Sequence, residues 1–315
     1  MTTARSSLIE RPTPGGLRKE SAWRRRDRRW GYLFVGPQVV GMALFVLVPF
    51  IGSLVLAFAS WDGLTPLTWV GFDNFISQLQ DPLLLRSIVN TLLIALITVP
   101  VGLGFSVIIA VALEKLKTRT LYLVLFFAPV VTSTVAVAMI WQQMLRSDGV
   151  LSSTIAKTFG IAPPDWLGDP RLALISVCIV SIWASMGLNV IIFLAGLQNI
   201  SPSVIEAAKI DGAGAFTLFW RIRLPLLSPI IFFSSVIAFI SSLQTFDVVF
   251  VLTSNAGPDN ATRTIVYHIY DLGFGRFEFG PSSAAAVILL VLTLVITAIQ
   301  FGAQKKFVHY EDGAA

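Results

Sequence analysis

The sequence predicts an all-α membrane protein built on six transmembrane helices. Three observations predict it: a scarcity of charge, six apolar stretches of bilayer length, and basic residues gathered on alternate connections. Of 315 residues, 55% are hydrophobic and 13% charged, and the mean hydropathy is +0.77. A water-soluble domain carries about 25% charged residues, so this chain has about half the charge needed to wet its own surface. That excludes a soluble enzyme, and it excludes a disordered chain, which would be poor in apolar residues. The lone cysteine, Cys178, cannot close an internal disulfide or build a thiolate cluster. Two histidines, His268 and His309, offer almost nothing for zinc, so no metal site is expected.

A spanning helix needs about 20 mostly apolar residues. Six stretches qualify, at about 31–59, 91–113, 121–145, 172–196, 229–253 and 284–303. Helix is the required form, because backbone groups in hydrocarbon must be satisfied within the segment. Pro37, Pro49, Pro100 and Pro129 interrupt these stretches and predict kinks. The first stretch ends in Ala57-Phe-Ala59, which mimics a cleavage site. It is nevertheless far longer than the 7–15 residues of a signal peptide's apolar core, and reads as a retained span. Around a transmembrane domain at 30–305 lie a basic leader at 1–29 and a tail at 306–315. The leader, with Pro12, Pro14, Gly15 and Gly16 before its arginines, reads as disordered and resting on anionic headgroups, or simply as an insertion signal.

Charge sets the orientation. The leader, the connections at 114–120 and 197–228, and the tail hold 17 of the 23 lysines and arginines. By the positive-inside rule both termini are cytoplasmic, as an even number of spans requires. The net charge of +5 is thus a topology signal rather than a mark of nucleic-acid binding, since the basic run lacks interleaved aromatics and a folded scaffold.

On the outer side, Phe72, Phe75, Ile76 and Leu79 make one apolar face of a short helix lying in the interface. Residues 146–171 read as a loop with Trp166 as an aromatic anchor, and 254–283 as a long polar loop. The sequon at Asn260-Ala-Thr262 is a chance-level match. On the inner side, the connection at 197–228 is far longer than two helices need. Its run from Ser201 to Ala213 reads as a helix, capped by Ser201 with Pro202 at the first position, or starting at Ser203 with Glu206 in a capping box. Gly212 breaks it, and a second short helix from Phe216 to Arg223 ends at Pro225. Two short helices around a glycine turn make a rigid projecting knob.

Glu206-Ala-Ala-Lys-Ile-Asp-Gly-Ala213, followed by Phe219, Ile222, Leu224-Pro225 and Pro229, resembles the EAA motif of ATP-binding-cassette importer permeases. Trp61-Asp-Gly63, Val70-Gly-Phe-Asp-Asn-Phe75, Asn90-Thr-Leu92, Phe246-Asp-Val248, Leu252-Thr253 and Gly257-Pro258 narrow the resemblance to the carbohydrate-uptake class, which includes maltose and glycerol-3-phosphate systems. The class usually writes a double glycine before that proline; here Ala256 takes the first place. The resemblance implies a six-helix permease with a cytoplasmic coupling-helix loop in the bacterial inner membrane. It implies as partners a second, homologous permease in a heterodimer, two ATPase subunits and an extracytoplasmic solute-binding protein. ATP and magnesium would sit on the ATPases, and this chain would bind no cofactor and catalyse nothing. No Gly-Lys pair occurs anywhere, so no P-loop can hold ATP phosphates here. In this reading Glu206 pairs with a basic group on the ATPase, Ala207, Ala208 and Ala213 set a close fit, and Asp211 and Gly212 shape the turn.

For the solute path, Asp247 is the acidic residue inside a span, with Ser241, Gln244 and Thr245 beside it on one helix; Trp183, Ser185 and Asn189 sit mid-span on another. An intramembrane carboxylate costs about 2.5–3.5 kcal/mol, so it should face a cavity or a partner. An aromatic plate beside amides and a carboxylate suits a sugar, and the resemblance places sugar contacts in these two spans. The alternative for Gln244 is interhelical hydrogen bonding, while Asp247 reads rather as a structural or gating group. An anionic solute such as glycerol phosphate would favour a cation on the path, and none lies in the six stretches. An ion-coupled transporter should show inverted repeats, and a membrane enzyme an acid–base cluster; neither is visible.

Overall fold

The computed structural model describes residues 22–307 apart from 161, with side chains placed over 30–305. The leader up to residue 21, and the tail beyond 307 with His309, lie outside the described residues. The chain divides into two units, one to Gly52 and one from Ser53.

The first unit is helical: α1 spans Ala22–Met42, a π turn covers Ala43–Leu47, and α2 (Val48–Leu56) carries the chain into the second unit. Helix therefore begins inside the stretch expected to be a disordered leader. Pro37 lies within α1 without ending it. Pro49 is the second residue of α2, directly after the π turn. Proline offers no N–H to the carbonyl four residues back, and the wider turn absorbs the missing bond.

In the second unit, β1 (Ala59–Ser60) pairs antiparallel with β2 (Thr68–Trp69), Ala59 opposite Trp69. Then come α3 (Asp73–Gln80), α4 (Pro82–Glu114), α5 (Arg119–Val131), α6 (Thr134–Leu145), α7 (Val150–Phe159) and α8 (Pro170–Gln198). After α8 follow α9 (Pro202–Ile210), α10 (Ala215–Leu218), α11 (Leu224–Leu243), α12 (Asp247–Leu252), α13 (Ile265–Tyr270) and α14 (Phe279–Phe307). Asp81 and Asp169 cap α4 and α8 by accepting from backbone N–H groups of their first turns, with proline at the first helical position in both.

Among the described residues five helical runs are long and apolar enough to cross a bilayer, and a bent pair makes a sixth if it counts as one span. Two expected spans need correction. The third is not a straight helix over 121–145: Arg119–Val131 and Thr134–Phe159 meet at 100°. Pro129 removes one helical bond, and Thr132 and Ser133 are extended. The Thr132 hydroxyl donates to the Ala128 carbonyl at 2.8 Å, competing with the helix for it. The fifth does not begin at Pro229. The run Ala215–Leu243 is one crossing, joined by a π turn over Phe219–Arg223 just before Pro225, the arrangement already seen before Pro49. Nor does it reach residue 253, because it stops at Leu243 and α12 starts afresh at Asp247.

The core lies between α4, α8 and α11. Val99, Leu103, Val107 and Ala110 meet Phe193, Leu194, Leu197 and Leu227 in one buried cluster. Lipid gives no hydrophobic drive to this association, so close contact must do the work. At Gly187 the α8 backbone lies directly against the Phe126 carbonyl of α5, where any side chain would overlap it.

α3 turns its polar side inward. Asn74 and Gln78 are buried while Phe72, Ile76 and Leu79 are exposed. That inverted amphipathicity suits a helix lying in the interface, as its spacing predicted.

Candidate functional site

A cavity of about 450 Å³ opens between α4, α8 and α11, at the level of the two helix breaks. Non-helical backbone at membrane depth is tolerated where it lines such a space. Of the seven residues the sequence proposed for a solute path, Ser185, Asn189, Ser241, Gln244, Thr245 and Asp247 line it. Trp183 does not: it makes an edge contact with Trp141, centroids 5.5 Å apart. Gln244 and Asp247 are not one turn apart on a common helix, because Gln244 ends α11 and Asp247 begins α12. The break is fixed from outside the helix, by the Thr264 hydroxyl donating to the Thr245 carbonyl at 2.9 Å. The first turn of α12 gives the Asp247 carboxylate a favourable place, near the positive end of the helix dipole.

The sequence reading missed Thr98, Thr134, Ser181, Phe233, Ser234, Ser242 and Phe246, all in the cavity wall. Hydroxyls inside apolar runs were the available signal. The Ser185 hydroxyl bonds back to the Ser181 carbonyl at 2.9 Å, and the Asn189 amide donates to the Ser185 carbonyl at 3.3 Å. Thr98 and Ser242 share a hydrogen bond at 3.1 Å. The hydroxyls of Ser181 and Ser234, by contrast, are buried without a hydrogen-bond partner. Such groups are costly. Among the described residues no lysine or arginine lines the wall.

Beyond the break the supposed loop at 254–283 is a braced, largely helical element. Ser254, Asn255, Ala256, Gly257, Asp259 and Asn260 all have positive φ, a tight reversal held by Asn90, whose amide donates to the carbonyls of Asn260 and Arg263 at 3.1 Å. Ala256, in place of the class's usual glycine, sits at φ +76. Arg263 is buried and its Nη2 lies 2.7 Å from Asp271 Oδ2, which Arg276 also reaches at 2.9 Å. Burial pushes the Asp271 carboxyl up, but these two guanidinium groups hold it below its ordinary value. Arg263 also donates to His268 Nδ1, at 3.1 Å from Nη2. That fixes the tautomer: Nε2 carries the proton and donates to Gln78 Oε1 at 2.9 Å. Burial, then the neighbouring Arg263 charge, lowers the His268 pKa to about 4, so the ring is neutral.

At the other end of α11, α9 starts with Pro202 at its first position as expected, but the Ser201 hydroxyl meets the Ser203 hydroxyl at 2.7 Å and caps no backbone group. The helix ends at Asp211 and Gly212, at φ +82. Gly212 N–H donates to Lys209 O at 3.0 Å and Ala213 N–H to Ala208 O at 2.9 Å, the paired bonds of a Schellman turn. Glu206, Ala207, Asp211 and Gly212 are exposed; Ala208 and Ala213 are half-buried. Beside the turn Ile210 is 87% and Phe216 76% exposed, an apolar surface that residue spacing alone did not reveal. Buried Arg223, 2.9 Å from Glu114 Oε2, anchors the base of this loop to the end of α4.

Residues 102–308 match the family described as the inner membrane component of binding-protein-dependent transport systems. The chain is 35% identical to the probable ABC transporter permease protein YesP of Bacillus subtilis, over 93% of this chain and 96% of that one. It is 35% identical to the lactose transport system permease protein LacF of Rhizobium radiobacter, over 86% of this chain and 91% of that one. A solved bacterial ABC transporter involved in import of the acidic polysaccharide alginate has a chain that superimposes with TM-score 0.80 at 25% identity, covering 92% of this chain and all of that one. Those matches extend through both the broken helices and the projecting loop, and on them the chain belongs to the family of inner membrane components of binding-protein-dependent transport systems.

Proposed function

We propose that this chain is the permease subunit of an ATP-driven sugar importer. It forms the solute path with a second, homologous permease and takes energy through the 201–225 loop from two ATPase subunits, which hold ATP and magnesium. A solute-binding protein delivers sugar on the extracytoplasmic side, and both termini lie in the cytoplasm of a bacterial cell. The observation that carries the sugar reading is the cavity wall: hydroxyls and amides, two of the hydroxyls buried without partners, next to Phe246, and no cation. A neutral polyhydroxyl solute fits that wall better than a phosphate, which would call for arginine or lysine.

The loop supports the coupling role. A rigid turn presents exposed Ile210 and Phe216 beside Glu206, and its base is tied to α4 through Arg223 and Glu114. ATP binding elsewhere can move this chain only if the two states of the loop engage the ATPase unequally. Gly212→Val tests it. A Cβ at residue 212 meets no atom within 4 Å, so the substitution acts on the backbone alone, through the positive φ. In the reconstituted complex it should cut uptake at least tenfold while ATP hydrolysis and membrane insertion persist; undiminished uptake overturns the coupling role.

A further inference from the structure

We infer that the sugar-binding surface does not end at the cavity but continues as a row of aromatic rings, Phe246, Tyr270 and Phe274, leading away from the coupling loop. The inference rests on the sugar reading above and names the residues that extend it. Phe246 lines the cavity at the α11–α12 break. Its ring lies 5.1 Å from that of Tyr270, and Tyr270 stacks on Phe274 at 5.5 Å with planes 27° apart. Phe250 fills in behind, 5.3 Å from Phe246 and 5.4 Å from Tyr270. The exposure rises along the row: Phe246 is half-buried, Tyr270 is 37% exposed and Phe274 68% exposed.

Direction follows from α11. Its 20 residues rise about 30 Å at 1.5 Å per residue, with the coupling loop at one end and the break at the other. Tyr270 and Phe274 belong to the element that packs on the start of α4, through Ile265 N–H to Thr91 and Asn90 to the Arg263 carbonyl, whereas the end of α4 meets the loop through Glu114 and Arg223; the row therefore begins in the cavity and proceeds to the side opposite the loop. On the orientation proposed above, that is the side from which a binding protein delivers solute.

Rigidity is the second argument. Tyr270 closes α13, and Phe274 lies in the π turn Asp271–Gly275. This element is held by the Arg263–Asp271 and Arg276–Asp271 contacts and by the Ser282 hydroxyl donating to the Ile269 carbonyl at 2.8 Å. Ionic contacts around Asp271, one of them from buried Arg263, thus fix the backbone that carries two exposed rings. Aromatic faces held in place present large contact area at small entropic cost, and the CH faces of a pyranose are apolar enough to lie on them while its hydroxyls remain in water. A belt of interfacial aromatics facing lipid would have no reason to run on into a cavity wall of hydroxyls.

The test uses the complete complex, both permeases with their ATPases and binding protein, in proteoliposomes. Radiolabelled lactose, an arabino-oligosaccharide and glycerol 3-phosphate serve as probes. Tyr270→Ala with Phe274→Ala should raise the half-saturating concentration of saccharide-loaded binding protein for uptake about tenfold. Assembly should be unchanged, and Tyr270→Trp with Phe274→Trp should restore uptake. Unaltered uptake overturns the row. So does loss of the partner permease from the purified double variant, which would make these rings a subunit interface. Uptake of glycerol 3-phosphate alone, or of none of the probes, by the unsubstituted complex instead sinks the sugar reading itself, and the row with it.

Discussion

Two polar regions of this molecule use similar residues in opposite ways. Around His268, Arg263 reaches Asp271, His268 and Asn260, His268 reaches Gln78, and Asn90 holds two carbonyls, so each buried group is engaged. Around the cavity, the Ser181 and Ser234 hydroxyls are buried with nothing to bond, and Ser241, Gln244 and Asp247 are exposed to the space. The first region is finished without a ligand; the second is not. A buried polar group left unpartnered beside a cavity calls for an explanation that a fully bonded network does not.

The comparison breaks most visibly at Arg263. Removing one member of a buried ion pair costs roughly 3–5 kcal/mol, because the remaining polar groups are left in a dry site. Arg263→Met strands His268 Nδ1 and weakens the hold on Asp271. It should lower the thermal midpoint of the detergent-solubilised protein by many degrees and abolish uptake only as a consequence. A variant that folds normally yet does not transport would move Arg263 from scaffold to path.

His268 gives a smaller, graded effect with a definite sign. Its folded pKa is about 4 against an ordinary 6.5, lowered first by burial and then by Arg263. Below about pH 6.5 the unfolded chain takes up a proton that the folded chain refuses, so stability falls as pH drops from about 6.5 to about 4, by roughly 3 kcal/mol in all. His268→Gln should flatten that part of the profile. Chemical denaturation across the pH range measures it, and a profile unchanged by the substitution would remove His268 as the source.

Much of this was legible in the sequence, and the exceptions share one cause. Periodicity and length found the long apolar helices, because a lipid-spanning helix is written in consecutive residues. Pro129 announced a kink in the third stretch, but the break between Leu243 and Asp247 was not legible, because a distant partner imposes it: Thr264 holds the Thr245 carbonyl. The same break separates Gln244 from Asp247 and brings Ser181, Thr98 and Phe246 into the wall unannounced. The stretch at 254–283 read as a polar loop because pattern analysis counts each charge as surface. Arg263, Asp271 and Arg276 instead neutralise one another in place, which lets Arg263 and His268 be buried. Trp183 lies outside the cavity wall for a related reason: its ring packs against Trp141, some forty residues back on the bent pair.

The smallest expected stability effect is the most discriminating, because it separates the two regions by sign. Ser181→Ala and Ser234→Ala each delete a buried hydroxyl that has no partner. Deleting an unsatisfied group removes a desolvation cost rather than a bond, so the thermal midpoint should hold or rise slightly, within about 1 kcal/mol. If those hydroxyls meet a sugar, initial uptake by the assembled complex should nevertheless fall several-fold, through a weaker hold on solute rather than through lost protein. Scaffold residues cannot behave this way, since their removal costs stability and transport together. Parallel loss of both at Ser181 and Ser234 would therefore place the cavity wall in the same class as the His268 network. The seat of solute binding would then have to be sought on the partner permease.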